Sequence, residues 1–491
     1  MEPHAPSASI AYAGLGELQD GLASGTITSA AIVSSLLERI AAIDAPGTAT
    51  EVRSILAIAS DALEQAVQCD AERARGVLRG PLHGIPVAVK DNIEAVGLPG
   101  TAGSLALLDS PVAIDAPVVA RLRAAGAIVV ASTNLSEWAN MRSTMSSSGW
   151  SAVGGLVANP WALDRSAGGS SSGSGAALAA GLVPLALGTE TDGSIVCPAA
   201  LNGVVGLKPT VGALPVDGIV PISHSQDTPG PMARCVRDVR ALWEVLSDAA
   251  VPAVDVRSLR VAAVPTWLSG LAHTDDLFGG VLQRVRDAGL FAAVGEAAVP
   301  AMGDSEGLDE YTVLLAELHD DLADYLARRE PVSGVRTLAD VIAFNLAHAD
   351  EELVHFGQEH FDRAVARGGV DAESTSARER GVQWARAQCL DPALAEWDVL
   401  LAPTYVPAWK HDFVLGHPSI GGGVTSPAAV AGYPILSLPM GLVHELPVGL
   451  ALVGRPGSEH VLLAVAEAVE GLLALDAHGA WRPPFKAPAR G

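Results

Sequence analysis

The spacing of apolar positions changes repeatedly along the first 135 residues, and each change predicts an element. Residues 13–44 carry helical spacing in two segments. The second offers Thr28 or Ser29 as an N-cap ahead of Ile32, Leu36, Leu37 and Ile40, which share one face of a 3.6-residue repeat. The run Ser54–Ser60 (SILAIAS) predicts a buried strand, and Asp61–Arg75 predicts a helix. Turn residues in Pro81–Pro86 (PLHGIP) lead into a short strand, Val87–Lys90, that ends on Lys90-Asp91-Asn92. A helix over Ala116–Ala125 precedes an apolar strand, Ala127–Ala131, closed by the polar loop Ser132-Thr133-Asn134.

Strands alternating with helices predict an α/β layered fold with a mixed or parallel sheet. In such folds ligand chemistry collects beyond strand carboxyl ends, which is where Lys90 and Asn134 fall. The run Val211–Arg234 reads as loop, with many Gly and Pro, and residues 300–395 turn charged, acidic and helical in pattern. The α/β pattern then returns, with strands at Val399–Ala402, Ile435–Pro439 and Gly449–Val453 and helices near Ser426–Ala431 and from Glu459 to about Leu473. Sheet material on both sides of the helical stretch predicts one domain over 1–491, with 300–395 as a helical insertion or cap within it.

Composition narrows the class. Length alone allows one to three domains, and a chain that is 49% apolar can bury a large core. A net charge of −24 argues against a nucleic-acid or anionic-membrane partner, because phosphate binding needs a basic face. The substrate is expected to be small and not polyanionic. Cys69, Cys197, Cys235 and Cys389 form no CxxC pair, which fits free thiols in a reducing compartment. The opening residues carry no basic segment followed by an apolar one, and the apolar run Gly175–Gly188 is short and broken by Pro184. The expectation is a soluble, cytoplasmic protein that binds no membrane.

The chemistry gathers in Gly168–Thr210, GGSSSGSGAALAAGLVPLALGTETDGSIVCPAALNGVVGLKPT, where two small-residue loops, Gly168–Gly175 and Gly188–Pro198, flank an apolar helical segment. Gly169–Gly173 formally matches G-x-S-x-G, but no strand precedes it as a nucleophile elbow requires. No Gly-Lys-Ser/Thr follows, so a phosphate loop fails too. A flexible linker is the plain alternative; the helix that follows at once favours an organised helix entry. The second loop offers successive backbone N–H groups beside Ser194, which suits an oxyanion hole or an ordinary turn. None of the 13 histidines falls in these loops; His83 and His224 are nearest in sequence. Lysines number four, Lys90, Lys208, Lys410 and Lys486. Lys90 ends an apolar strand, where desolvation would lower its pKa and leave it a neutral base, or where it pairs with Asp91 instead.

These residues resemble a known family. Gly168–Thr210 resembles the amidase signature sequence, and GIPVAVKDN (Gly84–Asn92) resembles its upstream lysine motif. TNLSEWANMR (Thr133–Arg142), QDTPGPMAR (Gln226–Arg234) and GYPILSLPMG (Gly432–Gly441) extend the likeness over nearly the whole chain. The resemblance implies an α/β fold with a mixed central sheet flanked by helices, and a Ser–cisSer–Lys triad. Ser194 would be the nucleophile, Ser170 the bridging serine after a cis Gly169–Ser170 bond, and Lys90 the terminal base. The N–H groups of Thr191, Asp192, Gly193 and Ser194 would form the oxyanion hole. No metal and no organic cofactor is implied.

Two departures bear on the substrate. Many members carry Gly-Gly-Ser-Ile-Arg around the nucleophile, where this chain has Asp192-Gly193-Ser194-Ile195-Val196-Cys197. The missing arginine argues against an acidic substrate held there, and against the family's glutamyl-tRNA amidotransferase component. TETDGSIVCPA, with NLSEWAN and Ser148–Trp150, looks most like the peptide-amidase branch, which makes Asn140, Trp138 and Trp150 candidates for an acyl-side groove. The expected activity is hydrolysis of a small-molecule or peptide carboxamide by a monomer or homodimer. The alternatives are an esterase or aryl acylamidase of the same family, or a non-autonomous amidotransferase component that works only within a complex. Cys197, beside Pro198, reads as a small packed residue, and His348, His355 and His360 as a solvated helix face.

Overall fold

Eleven strands hydrogen-bond into one sheet in the computed structural model, which describes residues 10–416, 418, 423–476 and 481–487. The opening residues 1–9, read above for a leader pattern, lie outside the described residues. In chain order the strands are β1 (Ile55–Ile58), β2 (Pro86–Lys90), β3 (Ile128–Thr133), β4 (Leu185–Glu190), β5 (Val205–Lys208) and β6 (Thr228–Ala233). They continue as β7 (Arg260–Ala263), β8 (Ala293–Glu296), β9 (Val399–Pro403), β10 (Ile435–Val443) and β11 (Leu446–Val453). Across the sheet the order is β1-β3-β2-β4-β6-β5-β10-β11-β9-β7-β8. Strands β3, β2 and β4 run parallel, as do β9, β7 and β8, while the pairs between them are antiparallel. The sheet is therefore mixed, and helices flank it.

Several expectations change in detail. Strand β1 is an edge strand with one partner, so its side chains are only partly covered and Ile58 is 43% exposed; the predicted buried strand is not buried. Strand β3 runs two residues further, taking in Ser132 and Thr133, because Thr133 Oγ1 is satisfied by Ser174 Oγ at 2.8 Å. Strand β6 lies inside the stretch read as loop. Pro229 and Pro231 are tolerated there because they share one edge of the strand, and β5 pairs only with Met232 and Ala233 beyond them. The two small-residue loops are also shorter than expected, since a helix begins at Ser172 and β4 continues through Glu190.

The helix Ser172–Ala179 is made of small residues because it has no room for others. A Cβ on Gly173 would sit 2.3 Å from the Ser54 carbonyl oxygen and 2.4 Å from that of Asn134. Here Gly, Ser and Ala let a helix lie directly on strand ends.

The stretch 300–395 is helical throughout its core: Asp304–Arg329, Leu338–Ala347, Ala349–Glu352, Glu359–Arg367 and Ala372–Gln383, then a π-helical turn at Trp384–Leu390. Leu315, Leu318, Leu322, Leu326 and Phe361 form its core, which also takes in Trp138. The three histidines share no helix face: His355 is exposed on a bend, as a solvated residue, whereas His348 and His360 are half-buried. His348 stacks on Phe344 at 4.1 Å, His355 on Phe413 at 3.8 Å, and His360 Nδ1 meets the Tyr311 hydroxyl at 2.6 Å.

One cation joins this region to the sheet. Arg142 is wholly buried; it donates to Glu137 Oε1 at 2.6 Å and to the Glu352 carbonyl, lies 3.4 Å from Glu352 Oε2, and stacks over Trp150 and Phe356. Replacing Arg142 with Ala leaves two carboxyls buried without their cation and should cost about 3–5 kcal/mol. A lower urea midpoint than that of the unmodified protein is the expected reading.

Candidate active site

Burial builds this site. Lys90 closes β2, every residue of which is buried, and its amine reaches Ser170 Oγ at 2.7 Å, Thr189 Oγ1 at 2.8 Å and the Thr189 carbonyl oxygen at 3.3 Å. Desolvation pushes the Lys90 pKa down to about 7, against the opposing pull of Asp227 and Glu190. Asp91 does not pair with it: that carboxylate accepts from the Gly100 and Thr101 N–H groups at 3.1 and 2.8 Å.

Burial alone does not single Lys90 out. Lys208, at the end of β5, is equally enclosed, and burial lowers its pKa to about 8. Its amine donates to the Pro209 carbonyl at 3.1 Å and faces Glu190 and Glu459. What separates the two is the hydroxyl: Lys90 touches Ser170. Lys410 and Lys486 pair with Asp164 and Glu445 at the surface.

Ser170 follows a cis peptide bond from Gly169 and is buried. Its carbonyl accepts from Ser136 N–H at 3.1 Å, and the next N–H, of Ser171, donates to the Ser194 carbonyl at 3.0 Å. That bond holds the two small-residue loops together. Glu190 shapes the second loop, accepting from the Ile195 and Val196 N–H groups at 2.7 and 3.0 Å. It thereby ties the end of β4 to the start of the helix Val196–Asn202 and folds 191–194 into a tight turn. Gly193 takes φ +76°, and a Cβ there would also meet the Tyr405 hydroxyl at 2.7 Å. The N–H groups of Asp192, Gly193 and Ser194 donate to no other group among the described residues.

The turn opens on a cavity of about 390 Å³ that brings together Ser194, Asp192, Thr191, Asn140 and Gly169. Asn140 Nδ2 lies 3.2 Å from Ser148 Oγ, and Asp192 Oδ2 accepts from Ser426 at 2.6 Å. Trp138 and Trp150 do not line this cavity. Trp138 packs edge-on to Phe361 at 5.8 Å, and Trp150 packs against Phe356 and Arg142, so both serve the joint with the helical region. Tyr405, Trp409, Ile222 and Leu314 line the cavity instead. The first two follow β9 after more than 200 residues of intervening chain, with no local pattern to mark them.

Thr189, Asn92 and Asp227 complete the surroundings. Asn92 Nδ2 donates to Thr189 Oγ1 at 3.0 Å, and Asp227 accepts from Thr191 Oγ1 at 2.5 Å. Asn92 follows the end of a strand the sequence marks, whereas Thr189 lies in, and Asp227 adjoins, strand residues that the sequence pattern reads as loop. His83 is buried against the Cys69 carbonyl at 3.0 Å, and His224 is held by Asp321; neither meets a serine of the site.

The architecture and this constellation define the class: a hydrolase acting on amide C–N bonds. The model of the family described as Amidase matches residues 31–463, and this chain belongs to that family. Native peptide amidase from Stenotrophomonas maltophilia superposes with TM-score 0.88 at 40% identity, covering 98% of this chain and 99% of that one. Peptide amidase in complex with the competitive inhibitor chymostatin gives 0.89 at 41% identity, over 98% of this chain and all of that one. A component of the glutamyl-tRNA(Gln) amidotransferase from Symbiobacterium thermophilum is 36% identical, over 91% of this chain and 94% of its own length.

Cys197 also faces the cavity, but desolvation pushes its thiol up to about 12, so it carries almost no thiolate at neutral pH. Iodoacetamide at pH 7 is expected to leave Cys197 unmodified in the folded protein, as read from peptide masses.

Proposed function

We propose that this chain hydrolyses a carboxamide, in particular the C-terminal amide of a peptide, to a carboxylate and ammonia through an acyl-enzyme on Ser194. The observation that carries this reading is the 2.7 Å contact between the buried Lys90 amine and Ser170 Oγ, in a loop bonded to the Ser194 carbonyl. A neutral amine has two N–H donors and one lone pair. Thr189 supplies two acceptors, its carbonyl and its hydroxyl oxygen, which leaves the lone pair for the Ser170 hydroxyl.

The proton inventory closes on these side chains. Ser194 Oγ attacks the carbonyl carbon while its proton moves to Ser170, whose own proton moves to Lys90. The oxyanion falls to the N–H groups of the 191–194 turn. Collapse breaks the C–N bond, and the relay returns the proton to the departing ammonia. Water then attacks the ester by the same relay, releasing the carboxylate and restoring Ser194. No metal or organic cofactor takes part. The peptide substrate is supported by the peptide amidases this chain resembles, and by a cavity with aromatic and apolar walls and an amide, Asn140. The same reading places the enzyme in the cytoplasm as a monomer or homodimer. Among the described residues no helix is long and apolar enough to cross a membrane.

A role as one component of an amidotransferase is the second reading, favoured by the relative from Symbiobacterium. Ammonia released from peptide amides by the purified chain alone supports the amidase. Ser194→Ala should then lower turnover by about 10³-fold or more. Wild-type turnover in that variant would overturn the assignment.

The pH dependence has a defined sign. Lys90 acts when neutral, so kcat/KM should rise with pH through about 7 and level off above. Asp227 and Glu190 face the amine and, when ionised, hold that limb higher than burial alone would. A profile flat from pH 6 to 8 would remove Lys90 from the role of base.

A further inference from the structure

We propose that two ordered waters are built into the protein behind Ser170, held by Asn92 and Trp138, and that these two side chains position the lysine base and the substrate-facing turn. The kinetic part of this inference rests on the amidase reading above. The water sites do not.

Two small cavities lie side by side beneath the active site and share Asn92, Ala139, Val220 and Ile222 as walls. One extends to Ser170 and Asp227; the other extends to Trp138 and Leu318. Each holds about 10 Å³, close to one water-sized sphere, which is the least space a buried water needs. A buried water also needs polar partners, and each cavity has one with unmet capacity. Asn92 is 4% exposed, and its Oδ1 has no hydrogen-bond partner among the described residues. Trp138 is also 4% exposed, and its indole N–H has none either. Buried polar groups are rarely left unpaired, and an orphan commonly marks an ordered water. One orphan here is an acceptor and the other a donor, on cavities that share a wall. A water can therefore accept from Trp138 Nε1–H and donate to Asn92 Oδ1. A second can donate to the remaining lone pair of Asn92 Oδ1 and reach the Ser170 and Asp227 side.

This arrangement bears on the base. Asn92 Nδ2 and Lys90 Nζ both donate to Thr189 Oγ1, at 3.0 and 2.8 Å, and together fill its two lone pairs. Water donors on Oδ1 fix the amide with its NH₂ toward Thr189. The positive end of the amide dipole then faces the hydroxyl that receives Lys90 Nζ, which opposes a charge on the amine and favours its neutral form. Trp138 opens the segment Trp138-Ala139-Asn140, whose φ angles of 46°, 52° and 72° are all left-handed. Non-glycine residues pay about 1–2 kcal/mol each in that region, so the turn needs an anchor. A water bridge from Trp138 to Asn92 ties the turn that presents Asn140 to the strand end that carries Lys90.

A high-resolution crystal structure of the full chain is the first test. It should show one water within hydrogen-bond distance of both Trp138 Nε1 and Asn92 Oδ1, and a second between Asn92 and Ser170. Trp138→Phe should lose the first water, and Asn92→Leu both. In Asn92→Leu the rising limb of kcat/KM should move up by about one pH unit, the equivalent of one hydrogen bond, with KM changed little. If Asn92→Leu does not fold, Asn92→Ser takes its place in the kinetic measurement. Density for neither water in the unmodified protein, or an unmoved limb in the variant, overturns the proposal. Activity retained by Ser194→Ala would defeat the amidase mechanism and leave the two waters standing.

Discussion

The centre of this protein depends on removing four ionisable groups from water at once. Lys90, Glu190, Lys208 and Asp227 lie at or beside the ends of β2, β4, β5 and β6, and all are buried. Desolvation opposes the charged form of each, lowering the two lysines and raising the two carboxyls. The mutual attraction of two cations and two anions offsets part of that cost, because a buried charge survives only with partners. Lys208 has a clear place in this balance. It holds Glu190 toward its ionised form, and ionised Glu190 binds the two N–H groups that fold the 191–194 turn. Lys90 is the remainder left over: it has less compensation than Lys208 and the lower pKa, about 7 against about 8.

The same crowding dictates residue size. The two loops are made of Gly, Ser and Thr because backbones pass close to one another and hydroxyls must satisfy the groups so trapped. Ser174 answers the Leu187 carbonyl, Ser171 the Thr189 carbonyl, and Ser172 the Gly168 carbonyl. Serines in this segment are thus mostly structural. Only Ser170 meets the amine, and only Ser194 sits on the donor-rich turn at the cavity.

Much of this was legible from local chemistry. A lysine closing a wholly apolar strand is unusual enough to mark Lys90, and the polar residues at that strand end lie where the structure brings Ser170 to its amine. Lys208 closes a strand as well, but Gly206-Leu207-Lys208-Pro209 gives no hint that its amine donates to the Pro209 carbonyl and meets no hydroxyl among the described residues. Strand β6 was hidden because Thr-Pro-Gly-Pro violates the expected chemistry of a central strand; only the partial pairing on its proline side makes room for it. Trp138 and Trp150 looked like groove residues because aromatic residues sit near the motif, whereas their neighbours Phe361 and Phe356 come from a helical region two hundred residues away. Long-range packing of this kind leaves no periodicity to read.

The cavity beyond Ser194 carries its own constraint on the acyl group. Where many relatives place an arginine, this chain has Val196, and Asp192 puts a carboxyl on the cavity wall. Asp192 acts on a second half-buried carboxyl, Glu310, whose pKa is pushed up to about 8 by desolvation and by Asp192 itself. Like charges oppose each other's ionisation, and Glu310 keeps its proton near neutrality. Burial raises the Asp192 carboxyl as well, against its hydrogen bond from Ser426 and the charge of Lys208. An acyl group bearing its own carboxylate would meet the Asp192 carboxyl on a wall that, among the described residues, carries no lysine or arginine, whereas an amide brings only N–H donors and a carbonyl.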